Sequence, residues 1–326
     1  DGYARRFHYL RLSLTDVCNF RCSYCLPGGY RPDGSREFLS RDEVRRVARA
    51  FIALGTRKIR LTGGEPSMRR DLTPIIADIK ALAGLDKLVL TTNGYRLQQK
   101  AAEWRAAGLD AINLSVDSLD PRQFALITGQ DRLREIMAGL AGAWAAGFGQ
   151  IKSNPVLLKG LNDRELTQFL DWVKRAPIQL RFIELMQTET PGARDDYFGR
   201  HHLRGASLRS HLLEQGWQYQ PRAADAGPAE VFCHADYQGE VGLIMPYDDG
   251  FCDHCNRLRV SASGQLHLCL FGDGGFDLRA LLGGGQEGVG IERHGGTQVH
   301  AGLEGVLLEA AVHGHPGVSL RLAAGM

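Results

Sequence analysis

No stretch of this 326-residue chain is apolar over the ~18 residues that a bilayer crossing requires. The longest uncharged run, IMAGLAGAWAAGFGQ at 136–150, is too short and rich in Ala and Gly. No secretory signal is read at the start, so a cytoplasmic location is expected. Charge of one sign is also lacking: the formal net charge is +2, which gives no reason to expect nucleic acid or a membrane surface as a partner. Neither G-x-G-x-x-G nor a Walker A segment follows any predicted strand, so a dinucleotide or P-loop site is not expected. An even, closely spaced cysteine framework is missing too. The seven cysteines fall as Cys18/Cys22/Cys25, Cys252/Cys255/Cys269 and a lone Cys233, a pattern that suits reduced metal ligands better than disulfides. Cys233 alone reads as a small buried hydrophobe.

What is present is a repeated strand–helix rhythm. HYLRLSL at 8–14 alternates like a half-buried strand. SRDEVRRVARAFIALG at 40–55 opens with a capping box, Ser40 and Glu43, buries Val44, Val47, Ala48 and Phe51, and can end at Gly55. Strands follow at KIRLT (58–62), KLVLTTNG (87–94), DAINLSVD (110–117), IKSNPVLL (151–158) and IQLRFIELM (178–186), with helices between them. About six such units predict a parallel α/β sheet. Unusual residues gather after successive strands: the first cysteines, TGGEPSMR, TTNG, SVDSLD, then Glu184 and Met186. That distribution favours an incomplete (β/α)6 TIM-like barrel over a doubly wound sheet with one switch point. Residues 1–190 are read as the partial barrel. Residues 191–326 are read as a C-terminal extension carrying the second cysteine group, Gly-rich and weakly patterned from about 273.

Cys18, Cys22 and Cys25 are spaced C-x3-C-x2-C. Three thiolates cannot complete a structural zinc site, but they can hold three irons of a [4Fe–4S] cube and leave the fourth open. Zinc with a distant fourth ligand such as His8 is the plainer alternative. Phe20 and Tyr24 are expected to shield the loop. The second group, C-x2-C-x13-C, could by itself be a zinc ribbon completed by His254 or His267. Arg257 and Arg259 beside it instead suggest an anionic or heteroaromatic ligand.

The triplet with an aromatic before its third cysteine, together with GGEP at 63–66, resembles the radical S-adenosylmethionine superfamily. YLRLSLTDVCNFRCSYCLP, LTTNGYRL, INLSVDSLD, RFIELM and FCDHCNRLRVSASGQLHLCLFG resemble its GTP 3′,8-cyclase family of molybdenum cofactor biosynthesis, over about residues 1 to 280. The resemblance implies two [4Fe–4S] clusters, S-adenosylmethionine, and a lyase that turns GTP into (8S)-3′,8-cyclo-7,8-dihydroguanosine 5′-triphosphate. It implies that a deoxyadenosyl radical takes hydrogen from ribose C3′ while the second cluster's open iron binds the purine. Tyr24, Gly64, Ser115 and Met186 then occupy S-adenosylmethionine positions, with Asn93 beside them. Arg11, Arg60, Thr91, Lys152, Arg257 and Arg259 occupy GTP positions, and Lys58 and Arg181 are expected to face the same cavity. An electron donor, a homodimer and a downstream pterin-forming enzyme are implied as partners. No acid–base pair is expected, and Asp117 and Asp120 are read as helix caps. The family ends in Gly-Gly, whereas residues 320–326 read LRLAAGM, so that element is expected to be missing. The rival readings are a radical enzyme with an auxiliary cluster acting on a peptide, and a non-catalytic iron–sulfur or zinc protein.

Overall fold

The structure, a computed structural model, describes residues 7–32, 34, 37–187, 196–221, 226–253, 255–270 and 275–282. In the first half the order is β1 (Tyr9–Ser13), α1 (Arg41–Ala53), β2 (Lys58–Thr62), α2 (Leu72–Lys80), β3 (Lys87–Thr92), α3 (Leu97–Ala106) and β4 (Ala111–Leu114). Then come α4 (Pro121–Thr128), α5 (Leu133–Ala145), β5 (Ile151–Ser153), β6 (Val156–Leu157), α6 (Leu166–Arg175) and β7 (Gln179–Glu184). The expected helix α1 forms with its capping box: the Glu43 backbone N–H donates to Ser40 Oγ, and the Ser40 N–H donates to the Glu43 carboxylate at 2.7 Å. Gly55 follows its end at φ 96°, a backbone state that glycine adopts without strain. SVDSLD differs from expectation in one respect. Asp120 caps α4 through the Arg122 and Gln123 N–H groups, but Asp117 caps nothing.

Beyond residue 195 lie α7 (Tyr197–His201), α8 (Ala206–Glu214), β8 (Gln218–Gln220), β9 (Glu230–Cys233), β10 (Glu240–Ile244), β11 (Arg257–Val260), β12 (Gln265–His267), β13 (Phe276–Asp277) and α9 (Arg279–Leu282). One sheet runs β13-β12-β11-β1-β2-β3-β4-β5-β7-β10-β9-β8, with β6 also on β7. Its centre, β11 to β10, is all parallel, and antiparallel ribbons flank it on both sides. The later segment is therefore more than a layer packed on the barrel. It adds β10 to one edge and β11 to the other, and among the described residues these two do not pair, so the barrel stays open.

Strand parity explains the rest. Leu10 and Leu12 of β1, Ile59 and Leu61 of β2, Leu88 and Leu90 of β3 and Leu258 and Val260 of β11 are buried in the hydrophobic core. At ~25 cal/mol per Å² of apolar surface, that row supplies much of the driving force for folding. The alternate positions, Tyr9, Arg11, Arg60, Thr91, Arg181, Arg257 and Arg259, line a cavity.

Candidate active site

The cavity has a volume of about 260 Å³. Register places its cations side by side: Arg11 of β1 lies opposite Arg60 of β2 on one side and Arg259 of β11 on the other. Arg181 of β7 faces Gly242 of β10, where a Cβ would come within 2.7 Å of the arginine Cγ. That glycine makes room for the guanidinium. Burial, then Arg259 and Arg60, pull Arg11 down to about 9; burial, then Arg60, does the same to Arg181. Arg60 and Arg259 are lowered as well, chiefly by burial. Lys152 drops to about 7 by burial, then by Arg181, Lys58, Lys87 and Arg60. Among the described residues none of Arg11, Arg60, Lys152, Arg181, Arg257 and Arg259 has a carboxylate partner. Glu65 and Glu184, the acids nearest in sequence, are engaged elsewhere. Glu65 accepts from Ser67 N, Thr92 Oγ1 and Asn93 N, while Glu184 meets His202 and Arg204. Buried like charges without counterions are costly, and a polyanion removes that cost.

The second cysteine group lines this cavity, and the first loop reaches it through Tyr24, between Cys22 and Cys25. Cys252, Cys255 and Cys269 line the cavity together with Tyr24, Ser115 and Met186. The first loop is pinned by the Arg21 and Ser23 N–H groups donating to the Thr128 and Ile127 carbonyls, and it turns on Cys25 N and Leu26 N donating to Cys22 O. Phe20 anchors this loop rather than shielding it: it is buried edge-on against Phe124 at 6.2 Å. Burial raises the Cys18, Cys22 and Cys25 thiols. Asp117 and Cys25 push Cys22 further, and Cys18 and Asp117 push Cys25. Thiols so raised stay protonated unless a metal supplies positive charge, which suits metal ligands, while among the described residues no three Cys, His, Asp or Glu side chains are placed to hold one metal ion. His8 is no fourth ligand. It precedes β1, at the far end of the strand from the cysteines, with Nδ1 at 3.2 Å from Gly55 O. In the second group Arg257 Nη2 reaches Cys255 Sγ at 4.0 Å, and His254 lies outside the described residues.

The GGEP backbone packs tightly on the loop that leads into the first cysteines. A Cβ on Gly63 would sit 2.4 Å from Thr15 O, and one on Gly64 would sit 2.4 Å from Val17 O. The Gly64 and Glu65 N–H groups donate to those two carbonyls, so the segment carries the loop leading into Cys18. Asn93 belongs to the same support, donating from Nδ2 to Asn19 Oδ1 at 2.9 Å. Neither Gly64 nor Asn93 lines the cavity, and nor do Lys58 and Lys152. Lys58 instead lies 5.0 Å from the Tyr9 ring centroid. Gly64→Ala is expected to cost about 1–3 kcal/mol, because backbone cannot yield as a side chain does. The check is the denaturation midpoint together with iron per chain after reconstitution. Unchanged values for both would show that the loop accommodates a methyl group.

Several residues escaped sequence reasoning. Asp117 is buried and pushed up to about 6; it accepts from Tyr24 Oη at 2.9 Å and from the Val156 N–H. Asn113, Asn154 and Gln179 each hold a cation. Only Asn113 carried a parity signal, as the one polar residue of the apolar strand AINL; Asn154 lies between β5 and β6, and Gln179 opens β7.

Residues 12–173 match the Radical SAM superfamily, and residues 178–300 match Molybdenum Cofactor Synthesis C. The GTP 3′,8-cyclase of Yersinia pestis is 63% identical over 283 residues, 87% of this chain and 86% of that protein. That of Tolumonas auensis is 61% identical over 282 residues, 86% of this chain and 83% of that one. Among solved structures, Streptococcus suis SuiB bound to S-adenosylmethionine aligns with a TM-score of 0.62 at 14% identity, over 85% of this chain and 65% of that one. At that identity the likeness is one of fold and carries no peptide substrate across. The identity to the curated relatives, with both matched domains in order, means that the chain belongs to the GTP 3′,8-cyclase family of radical S-adenosylmethionine enzymes.

Proposed function

We propose that this chain is a radical S-adenosylmethionine lyase that converts GTP to (8S)-3′,8-cyclo-7,8-dihydroguanosine 5′-triphosphate, the first step of molybdenum cofactor biosynthesis. The observation that carries the reading is one cavity lined by arginines that have no carboxylate partner among the described residues, with Cys252, Cys255 and Cys269 in its wall and Tyr24, between Cys22 and Cys25, on its border. GTP brings close to four negative charges, and fixed guanidinium groups replace its hydration without reorganising. Cys18, Cys22 and Cys25 would hold one [4Fe–4S] cluster, and Cys252, Cys255 and Cys269 a second. When bound, the first cluster would supply the electron for reductive cleavage of S-adenosylmethionine, and with it the radical chemistry that removes a hydrogen atom from ribose C3′. Tyr24, Ser115 and Met186 bound the S-adenosylmethionine side, with Gly64 and Asn93 as support. Arg11, Arg60, Thr91, Lys152, Arg181, Arg257 and Arg259 receive GTP. Tyr24 and Asp117 fix the wall between the two ligands, and no side chain need move a proton for the hydrogen-atom transfer. Thiol ligands and an electron donor imply a reducing, cytoplasmic setting. A homodimer and a pterin-forming enzyme downstream complete the proposed context.

The test is anaerobic reconstitution followed by GTP, S-adenosylmethionine and dithionite, with mass spectrometry of the products. Formation of 5′-deoxyadenosine with a cyclic GTP isomer supports the reading. 5′-Deoxyadenosine without that isomer sinks the substrate assignment.

A pH dependence follows from Lys152. In the free protein it is largely neutral above about 7, and triphosphate charge draws its proton back. GTP affinity is therefore expected to fall as pH rises from 7.5 to 8.5, by up to about tenfold per unit for one proton taken up. Its charged neighbours are Arg181 (β7), Lys58 and Arg60 (β2) and Lys87 (β3). Stability of the ligand-free protein moves the other way. The unfolded lysine, at its ordinary 10.5, binds more protons, so stability rises with pH from about 7 towards 10.5. Titration of GTP affinity in Lys152→Gln should show a flattened slope; an unaltered slope assigns the proton elsewhere.

A further inference from the structure

Two cavity arginines, and Lys152 outside the cavity lining, are held by neutral amides. Arg181 Nε donates to Asn154 Oδ1 at 2.9 Å, and Lys152 Nζ donates to Gln179 Oε1 at 2.5 Å. The Asn113 amide lies against the Arg60 guanidinium, its oxygen, when turned toward it, at 2.7 Å from Nη2. The three amides sit on or beside adjoining strands of one wall: Asn113 is in register with Lys152, and Lys152 with Gln179. Asn113 is fully buried, and Asn154 lines the cavity.

Acids are not scarce nearby. Asp117 and Glu184 stand at the ends of neighbouring strands, but they bind Tyr24, Val156, His202 and Arg204 instead. Glu240 takes the far end of Gln179, from Nε2, rather than Lys152 itself. An amide oxygen and a carboxylate are alike as acceptors. They satisfy the same N–H groups and fix the same rotamers. They differ in charge: a carboxylate forms an ion pair and cancels the cation, whereas an amide leaves the full positive charge to act on whatever enters.

We infer that Asn113, Asn154 and Gln179 are positioning residues that set the charge of the site: they aim Arg60, Arg181 and Lys152 while keeping each cation uncompensated for a polyphosphate. This rests on the GTP reading and adds to it the reason why the wall carries amides. The cost is visible in the free protein, where burial and neighbouring cations, Arg60 for Arg181 and Arg181 for Lys152, hold both below their ordinary basicity. The gain is that entering phosphate need not displace a resident carboxylate.

Asn154→Asp keeps the size and changes only the charge, while Asn154→Leu removes the hydrogen bond and adds none. Binding of tripolyphosphate, GTP and guanosine to the reconstituted enzyme is to be measured for each. Asn154→Asp is expected to weaken tripolyphosphate and GTP by roughly 30-fold, the scale of one charge-assisted contact, with guanosine nearly unchanged. Asn154→Leu should weaken them by only a few-fold, and Asn154→Asp should melt no lower than wild type. A purely structural role gives the reverse order, with the leucine variant the worse, and overturns the inference. Asn113→Asp is the second variant should the first not fold, with the same order expected against Asn113→Leu. Wild type that binds tripolyphosphate but not GTP overturns the substrate reading alone, and the variant order on tripolyphosphate still judges the amides. Binding of neither overturns both.

Discussion

Cys22→Ala is expected to form no 5′-deoxyadenosine and to retain about four irons per chain rather than about eight, one cubane having been lost. Cys269→Ala should lose the same amount of iron yet still form 5′-deoxyadenosine, without the cyclic product. The contrast follows from where the two groups sit. Cys22 lies in the turn tied to the end of α4, beside Tyr24 and Asp117, on the side assigned to S-adenosylmethionine. Cys269 follows β12, which pairs with β11 and its Arg257 and Arg259. A mononuclear zinc protein would show neither iron number. An electron carrier would show both iron losses but no 5′-deoxyadenosine even in wild type. Removing Cys22 also affects protein that has not bound metal. Its thiol is forced to stay protonated by burial, so Cys22→Ala relieves a desolvated polar group and should not collapse the barrel. Retained secondary structure by circular dichroism separates loss of the cluster from loss of the fold.

The parity of β1 and β2 could be read from the chain directly. Leu10, Leu12, Ile59 and Leu61 mark the outer face, so Arg11 and Arg60 had to point inward. The cysteine spacing and GGEP were equally local. What GGEP touches was not, because Thr15 and Val17 come from another strand's loop and their carbonyls leave no trace in the motif. The same holds for β11. RLRV looks like any short strand, and only its pairing with β1 sets Arg259 beside Arg11. Asp117 misled because a caplike sequence, SVDSLD, contains two aspartates and only the second starts a helix. Its true partners, Tyr24 and the Val156 N–H, lie well away in sequence on either side. The amide clamps were missed for a related reason. An Asn or Gln on a strand is unremarkable until the residue opposite it is known to be a cation.

Arg259→Ala is expected to weaken GTP binding by about 10- to 100-fold, the range for a charged hydrogen-bonding partner, while cleavage of S-adenosylmethionine persists. Its effect on the empty protein should be slight or favourable. Arg259 is the strongest of the three charges that depress Arg11, and Arg257 in turn depresses Arg259. Removing it relieves repulsion between buried guanidiniums, against which stands the lost packing of its aliphatic stem. The two changes oppose each other, so the melting temperature without ligand should hold or rise. The stabilisation gained on adding GTP should shrink, because ligand linkage follows affinity. This pairing separates function from structure at one residue. A cation kept for the fold would show the opposite result, a lower melting temperature and an unchanged GTP affinity. A cation kept for the substrate makes the empty cavity less stable than it could be, and charge repulsion that the ligand relieves becomes part of the binding free energy.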